Sequence, residues 1–261
     1  MKALQIAATG MAAQQMRVDV VSQNLANMST TGYNARRADF ADLHYEQMAR
    51  PGTISATDGT MLPTGIQVGM GVRPSAVSIV LSQGSLVQTG GDLDLAIEGR
   101  GYLEVVLPGG GAGFTRDGAL KRTGDGLIVT SEGHQVAPGI TIPAEARSLA
   151  INSEGEVYAY FLNRVEPEML GQLSLIGFSN EKGLEAVGSN LFLETAASGP
   201  ALSGIPGEEG LGTLRQGYLE ESSVDAVREV TELIKAQRGY ELNAKVITAA
   251  DQMLSATTQV R

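Results

Sequence analysis

The sequence predicts an α+β chain: N- and C-terminal α-helices, each with a heptad-like apolar seam, and a central all-β domain between them. Three observations predict it. Long proline-free stretches lie at both ends, each with apolar residues recurring every seven positions. Between them, short apolar runs alternate with glycine-rich turns. Glycine reaches 33 of 261 residues while aromatics are 5% and Trp is absent, a composition suited to many turns and short strands.

The N-terminal helix is expected over residues 1–30. Gly10 is the sole glycine of residues 1–28, and Leu4, Met11, Val18 and Leu25 fall on one heptad position. Ala7 or Ala8, Gln14 or Gln15, and Val21 fill the alternate seam positions. The run stops in turn chemistry at Asn27-Met28-Ser29-Thr30-Thr31-Gly32. Lys2 and the apolar stretch Ala3 to Ala13 superficially resemble a secretion signal. Gln5, Thr9 and Gly10 interrupt that stretch, so the segment is expected to stay on the protein as an amphipathic helix.

Residues 31–74 are expected as an extended or β connector, and residues 75–212 as the central β domain. Candidate strands are 77–81, 93–97, 102–107, 126–130, 137–142, 156–161, 172–178 and 190–194. Turn signals such as Gly90-Gly91-Asp92, Pro108-Gly109-Gly110-Gly111, Asp117-Gly118 and Glu154-Gly155 separate them. That spacing suits an open-barrel-like module. A Gly- and Pro-rich stretch around 197–213 leads to a return connector, 213–224.

The C-terminal helix is expected over 225–261, a length of roughly 55 Å. Gly239 is its sole glycine, and Leu233, Tyr240, Ile247 and Leu254 again recur at seven-residue spacing. Ser222 or Ser223 is expected to cap its start, with Asp225 and Glu229 facing the helix dipole. Helices with narrow seams are marginal alone. These two could pair with each other, with neighbouring copies, or with both. Small and polar seam residues (Ala8, Gln15, Ser22) imply termini that are loose in the free subunit and fold on assembly.

The chemistry of function points away from catalysis. A formal charge of −10 disfavours nucleic acid and anionic membrane as partners. The absence of Cys excludes disulfides and thiolate metal sites. No run of about 18 apolar residues is present. His44 and His134 stand apart, without metal-ligand spacing. Asp92 and Asp94 read as turn residues, since a calcium loop needs more oxygen ligands at fixed spacing. Gly109 to Gly113 lacks the G-K-[ST] ending of a phosphate loop and reads as a hairpin turn. The basic pairs Arg36-Arg37 and Lys121-Arg122 lack aromatic interleaving. No cofactor, small-molecule substrate or enzymatic activity is expected.

Two longer signatures carry a resemblance. Gly10-Met11-Ala12-Ala13-Gln14-Gln15, Asp19-Val20-Val21-Ser22-Gln23-Asn24-Leu25-Ala26-Asn27 and Thr30-Thr31-Gly32-Tyr33 form the first. Ala236-Gln237-Arg238-Gly239-Tyr240-Glu241-Leu242-Asn243-Ala244-Lys245 with Asp251-Gln252-Met253-Leu254 form the second. Together they resemble the terminal motifs of the bacterial flagellar rod and hook protein family. The stretch 62–74 (Leu62-Pro63-Thr64-Gly65-Ile66-Gln67-Val68-Gly69-Met70-Gly71-Val72-Arg73-Pro74) is similar to the distal-rod members of that family. So are Ser82-Gln83-Gly84-Ser85-Leu86, 94–102 and Phe114-Thr115-Arg116-Asp117-Gly118. Asn34, Ala236, Gly239 and Ala244 depart from the usual family residues, which puts the local packing around Tyr240 in question.

The resemblance implies a structural subunit of the basal-body distal rod. Such a subunit is exported without a cleaved signal by the flagellar type III apparatus and polymerises helically in the periplasm. It implies N- and C-terminal helices forming a coiled-coil inner domain that lines an inner tube, a β domain forming the outer wall, and torque passed from motor to hook. Implied partners are further copies of the chain, proximal rod proteins, the hook protein, and the peptidoglycan-ring and outer-membrane-ring proteins around the rod. The expected assembly interface is Leu4, Met11, Val18, Leu25, Leu233, Tyr240, Ile247 and Leu254, with Asn24 and Asn27 fixing the turn out of the first helix. The alternatives are a proximal rod or short hook-type subunit, or, from another class, a secreted β-rich adhesin or scaffold.

Overall fold

The computed structural model describes residues 2–49, 64–162, 164 and 166–259. Leu62 and Pro63 of the distal-rod stretch, and the last two residues of the expected C-terminal helix, lie outside the described residues. The chain divides into two units. One comprises 1–25, 36–78 and 226–261; the other comprises 26–35 and 79–225. The sequence expectation placed the connector boundary at 74/75, whereas the contacts divide the chain at 78/79.

The first unit contains α1 (Lys2–Ala26) and α2 (Ala226–Gln259). α1 stops where the family turn begins, with Thr30 N donating to Asn27 O at 3.2 Å. α2 starts later than a serine cap would place it. Ser222 Oγ accepts from Val224 N and Ser223 Oγ from Ala35 N, so neither serine caps the helix. Asp225 is the residue immediately ahead of the helix.

Strands Arg36–Asp42 and Val72–Ile79 pair with each other, and Tyr45–Ala49 pairs antiparallel with Ile66–Gly69. Gly71 lies where this ladder meets α1. Its φ is +116°, and a Cβ there would overlap Thr9 Oγ1. Thr9 Oγ1 in turn accepts from Val72 N at 3.3 Å. Glycine is required at 71 both by its backbone and by the helix beside it.

The second unit is the β-rich one. Its main sheet runs in the order 185–188, 191–193, 112–115, 102–106, 135–136, 128–129, 121–122, with 175–177 also on 102–106 and 202–204 on 175–177. A separate sheet joins Ala146–Ile151, Glu156–Phe161 and Glu168–Gln172. Glu156–Phe161 coincides with its expected strand. Val157 and Ala159 are fully buried, alternating with outward Tyr158 and Tyr160, the period of two that a half-buried strand requires.

The expected strand 137–142 is absent, because the pairing residues are Gln135 and Val136 and the chain turns after them. The expected return connector 213–224 carries two strands, Thr213–Gln216 on Leu95–Glu98 and Tyr218–Glu220 on Leu86–Gln88. Their runs of three and four residues leave too little periodicity to read. The core holds Leu95, Ile97, Leu103, Val105, Ile128 and Leu175, with a second cluster of Tyr102, Phe114, Phe178 and Phe192 in edge-to-face contacts.

Candidate assembly site

α1 and α2 lie against each other. A Cβ on Gly10 would come within 2.8 Å of Asn243 Nδ2, and one on Gly239 within 3.0 Å of Gln14 Cδ. Arg17 Nη2 stands 3.8 Å from a Glu232 oxygen. As residue numbers rise on α1 they fall on α2, so the two helices run antiparallel. The first two contacts are reciprocal. Each glycine receives the amide side chain of the other helix, and glycine and amide are four residues apart on both helices.

The face of α2 turned inward is therefore Glu232, Ala236, Gly239 and Asn243, with Ala250 further along; Ala236 and Ala250 are buried. The expected stripe is offset from it. Leu233, Ile247 and Leu254 are half-buried, and Tyr240 is 44% exposed. On α1, Leu4, Met11, Val18 and Leu25 are likewise half-buried, while Ala7, Ala13, Val20, Val21 and Asn24 are buried. Close approach of two helices selects small side chains for the contact line, which moves the larger ones to its flanks. At the Gly239 departure an alanine methyl would stand 3.0 Å from Gln14 Cδ, so the Gln14 side chain would have to shift by a few tenths of an ångström to admit it. Larger apolar side chains of α2 face solvent, among them Val230, Ile234, Leu242 (62% exposed) and Val246.

Asn24 is 1% exposed and sits at the last turn of α1. Its Nδ2 donates to Arg36 O and its Oδ1 accepts from Arg36 N, both at 2.8 Å. The amide thus satisfies one residue of the first strand as a neighbouring strand would. Asn27 behaves differently: its Oδ1 accepts from Thr30 Oγ1 at 3.2 Å within the family turn.

In the β unit the stretches 82–86, 94–102 and 114–118 converge on Arg116. Its guanidinium is nearly buried and donates from Nε to Glu220 Oε2 (2.7 Å), from Nη2 to Gly99 O (2.6 Å) and from Nη1 to Gly101 O (3.1 Å). The other Glu220 oxygen accepts from Gly84 N at 3.0 Å. Beside it Gln83 Nε2 donates to Ile97 O and Gln83 Oε1 accepts from Gly99 N. Reading along the sequence missed this cluster, because its members come from segments far apart in the chain and Glu220 lies outside the quoted motifs. The signal available was a lone Arg within an otherwise apolar and turn-forming stretch.

A neighbouring hollow of about 280 Å³ is lined by Asn34, Gln83, Arg100, Tyr102, Arg116 and Glu181. Its charges are satisfied within the protein: Arg100 pairs with Glu181 at 2.7 Å and Tyr102 Oη donates to Glu181 at 3.3 Å. Burial, then the Glu181 carboxylate, pushes the Tyr102 phenol far above its ordinary range. His44 is exposed, and His134 lies in a turn whose Thr130 Oγ1 accepts its backbone N–H. Among the described residues no group of three or more His, Asp or Glu side chains could hold a metal ion. No described helix is long and apolar enough to cross a membrane.

The chain is 51% identical over 261 residues to the flagellar basal-body rod protein FlgG of Caulobacter vibrioides, covering all of both chains. The chain belongs to the flagellar basal-body rod protein family. FlgG of Agrobacterium fabrum is 44% identical over 98% of this chain and 97% of that one, and FlgG of Borreliella burgdorferi 44% over 100% and 99%. Three family models match in order: the flagella basal body rod protein model at 4–34, the flagellar hook protein FlgE/F/G D1 domain at 96–159, and the flagellar basal body rod FlgEFG protein C-terminal at 215–260. A solved structure, the Helicobacter pylori flagellar hook protein FlgE2, is 16% identical with a TM-score of 0.25 over 71% of this chain and 43% of that one. As a member of the rod family the chain is a structural subunit of the distal rod in the flagellar basal body, and it is not an enzyme.

Proposed function

We propose that the subunit builds the rod through its terminal helices. α1 and α2 form the inner, coiled-coil-like part of a helical homopolymer, with the β unit as its outer wall. The observation that supports this reading is the set of large apolar side chains that α2 turns to solvent: Val230, Ile234, Leu242 and Val246. A helix with one small-residue face packed and apolar side chains left outside suits a second packing event against another copy. Leu4, Met11, Val18, Leu25, Leu233, Tyr240, Ile247 and Leu254 flank the intrachain contact and belong to the same interface. Asn24 and Asn27 fix the exit from α1. Head-to-tail contacts whose rotation does not close yield a filament, as a drive shaft between motor and hook requires.

In this reading the subunit reaches the periplasm through the flagellar type III export apparatus with its N-terminus uncleaved. It joins proximal rod proteins on one side and the hook protein on the other, and turns within the peptidoglycan and outer-membrane rings. The test is electron microscopy and sedimentation of purified subunit under polymerising conditions, wild type against Ile234→Asp with Leu242→Asp. The variant is expected to keep the wild-type β signal in circular dichroism and to form no filaments; filaments of wild-type yield from the variant would end the proposal.

A further inference from the structure

The residues that lead out of α1, Thr30 to Ala35, have no regular secondary structure, yet they are seated on the β unit by parts of the chain far away in sequence. Gly32 N donates to Glu220 O at 2.8 Å, Ser223 N to Tyr33 O at 3.0 Å, and Val80 N to Ala35 O at 2.8 Å. Ala35 N donates to Ser223 Oγ at 3.0 Å, and Asn190 Nδ2 to Thr31 O at 2.9 Å. The seat is tight. Gly32 has φ +66°, and a Cβ there would lie 2.8 Å from Arg116 O.

The seat is itself composite. Glu220 ends the strand Tyr218–Glu220, which pairs with Leu86–Gln88, and its carboxylate joins Arg116 to Gly84. Glu221 N adds a bond to Ser85 O at 2.9 Å. The surface that receives residue 32 therefore exists only once strand 218–220 has paired with strand 86–88 around the buried Arg116–Glu220 ion pair. Pairings that close long loops are entropically costly and form after local ones.

We propose that residues 30–33 are a strap that closes last, over a seat completed by the C-terminal segment 218–223. The β hairpins fold first, the 86–88/218–220 pairing assembles the Arg116–Glu220 seat second, and the strap locks third. A chain delivered from its N-terminus thus leaves the exit of α1 unfastened until residue 223 is available. This ordering is a property of the single subunit and does not depend on the filament reading.

Pulse-labelled hydrogen exchange during refolding of the full-length subunit tests the order. The Asn152 amide, bonded to Glu156 O in a local hairpin, should gain protection first. Gly84 should follow, with Gly32 and Ser223 together and last. Protection of Gly32 in the same phase as Asn152 would overturn the proposal. A Gly32→Ala variant keeps the ion pair and blocks the seat. Its native state should exchange Ser223 at least about tenfold faster than wild type while Gly84 and Asn152 stay unchanged. An unaltered Ser223, or a β unit that no longer folds, would overturn it equally.

Discussion

Asn24 and Arg36 close a reciprocal pair of hydrogen bonds, Nδ2 to the carbonyl and amide to Oδ1, each 2.8 Å long. The side chain that ends α1 thus supplies the ladder partner for the first residue of the strand Arg36–Asp42. The sequence placed Asn24 near the turn; the structure makes it the brace between helix and strand.

Asn24→Ala removes a side chain that is 1% exposed and leaves the half-buried Arg36 amide and carbonyl without these partners. The expected loss is about 2 kcal/mol, from two modest bonds and the desolvation of the groups left behind. Urea unfolding of the free subunit measures it. Asn24→Asp should lose less, since the acceptor for the Arg36 amide remains.

Gly239 and Gln14 should be coupled. In an exposed helix Gly→Ala gains about 1 kcal/mol, but here the new methyl would meet Gln14 Cδ at 3.0 Å. Gly239→Ala alone is expected to be neutral or destabilising. In a Gln14→Ala background the same substitution should stabilise by about 1 kcal/mol. A double-mutant cycle from thermal or urea unfolding yields the coupling directly, and additivity would rule the contact out.

Gly71→Ala should cost more than about 2 kcal/mol. The backbone at φ +116° is closed to a side chain, and Thr9 fills the adjacent space. Thr9→Ala relieves only the second problem, so the double variant should remain destabilised relative to Thr9→Ala alone. Urea midpoints of the four proteins check this.

Asp117 should make stability rise on mild acidification. Burial raises its carboxyl above the usual range, against the hydrogen bond from Ala119 N, and the charge of Asp94 adds to the rise. A folded-state value above the unfolded one means the native state binds more protons, so stability falls as pH climbs through the folded value. Taking the pH from 7 down toward 4, the wild type should gain stability relative to Asp117→Asn, which cannot titrate and can still accept from Ala119. Parallel urea titrations at several pH values provide the comparison, and a flat difference would contradict it.

The two helices and the β-rich middle were legible because their signals are local. Proline-free runs, a heptad recurrence such as Leu4-Met11-Val18-Leu25, and turns such as Glu154-Gly155 are dictated by backbone sterics and periodicity within a few residues. The alternation in Glu156–Phe161 was equally plain. Strands Thr213–Gln216 and Tyr218–Glu220 were not legible, being short and paired with partners more than a hundred residues away.

By itself, the sequence determined that helices stand at both ends, that a β-rich middle joins them, that no catalytic constellation runs through the chain, and which family the motifs resemble. Only the tertiary structure decided that α1 and α2 meet through Gly10, Gln14, Gly239 and Asn243, with Leu233 half-buried and Tyr240 44% exposed. It alone brought Gly32, Gly84, Arg116 and Glu220 to one point. Heptad spacing reports which residues share a helix face, but the separation of the helices decides which line along that face can be buried, and close packing admits only the smallest side chains.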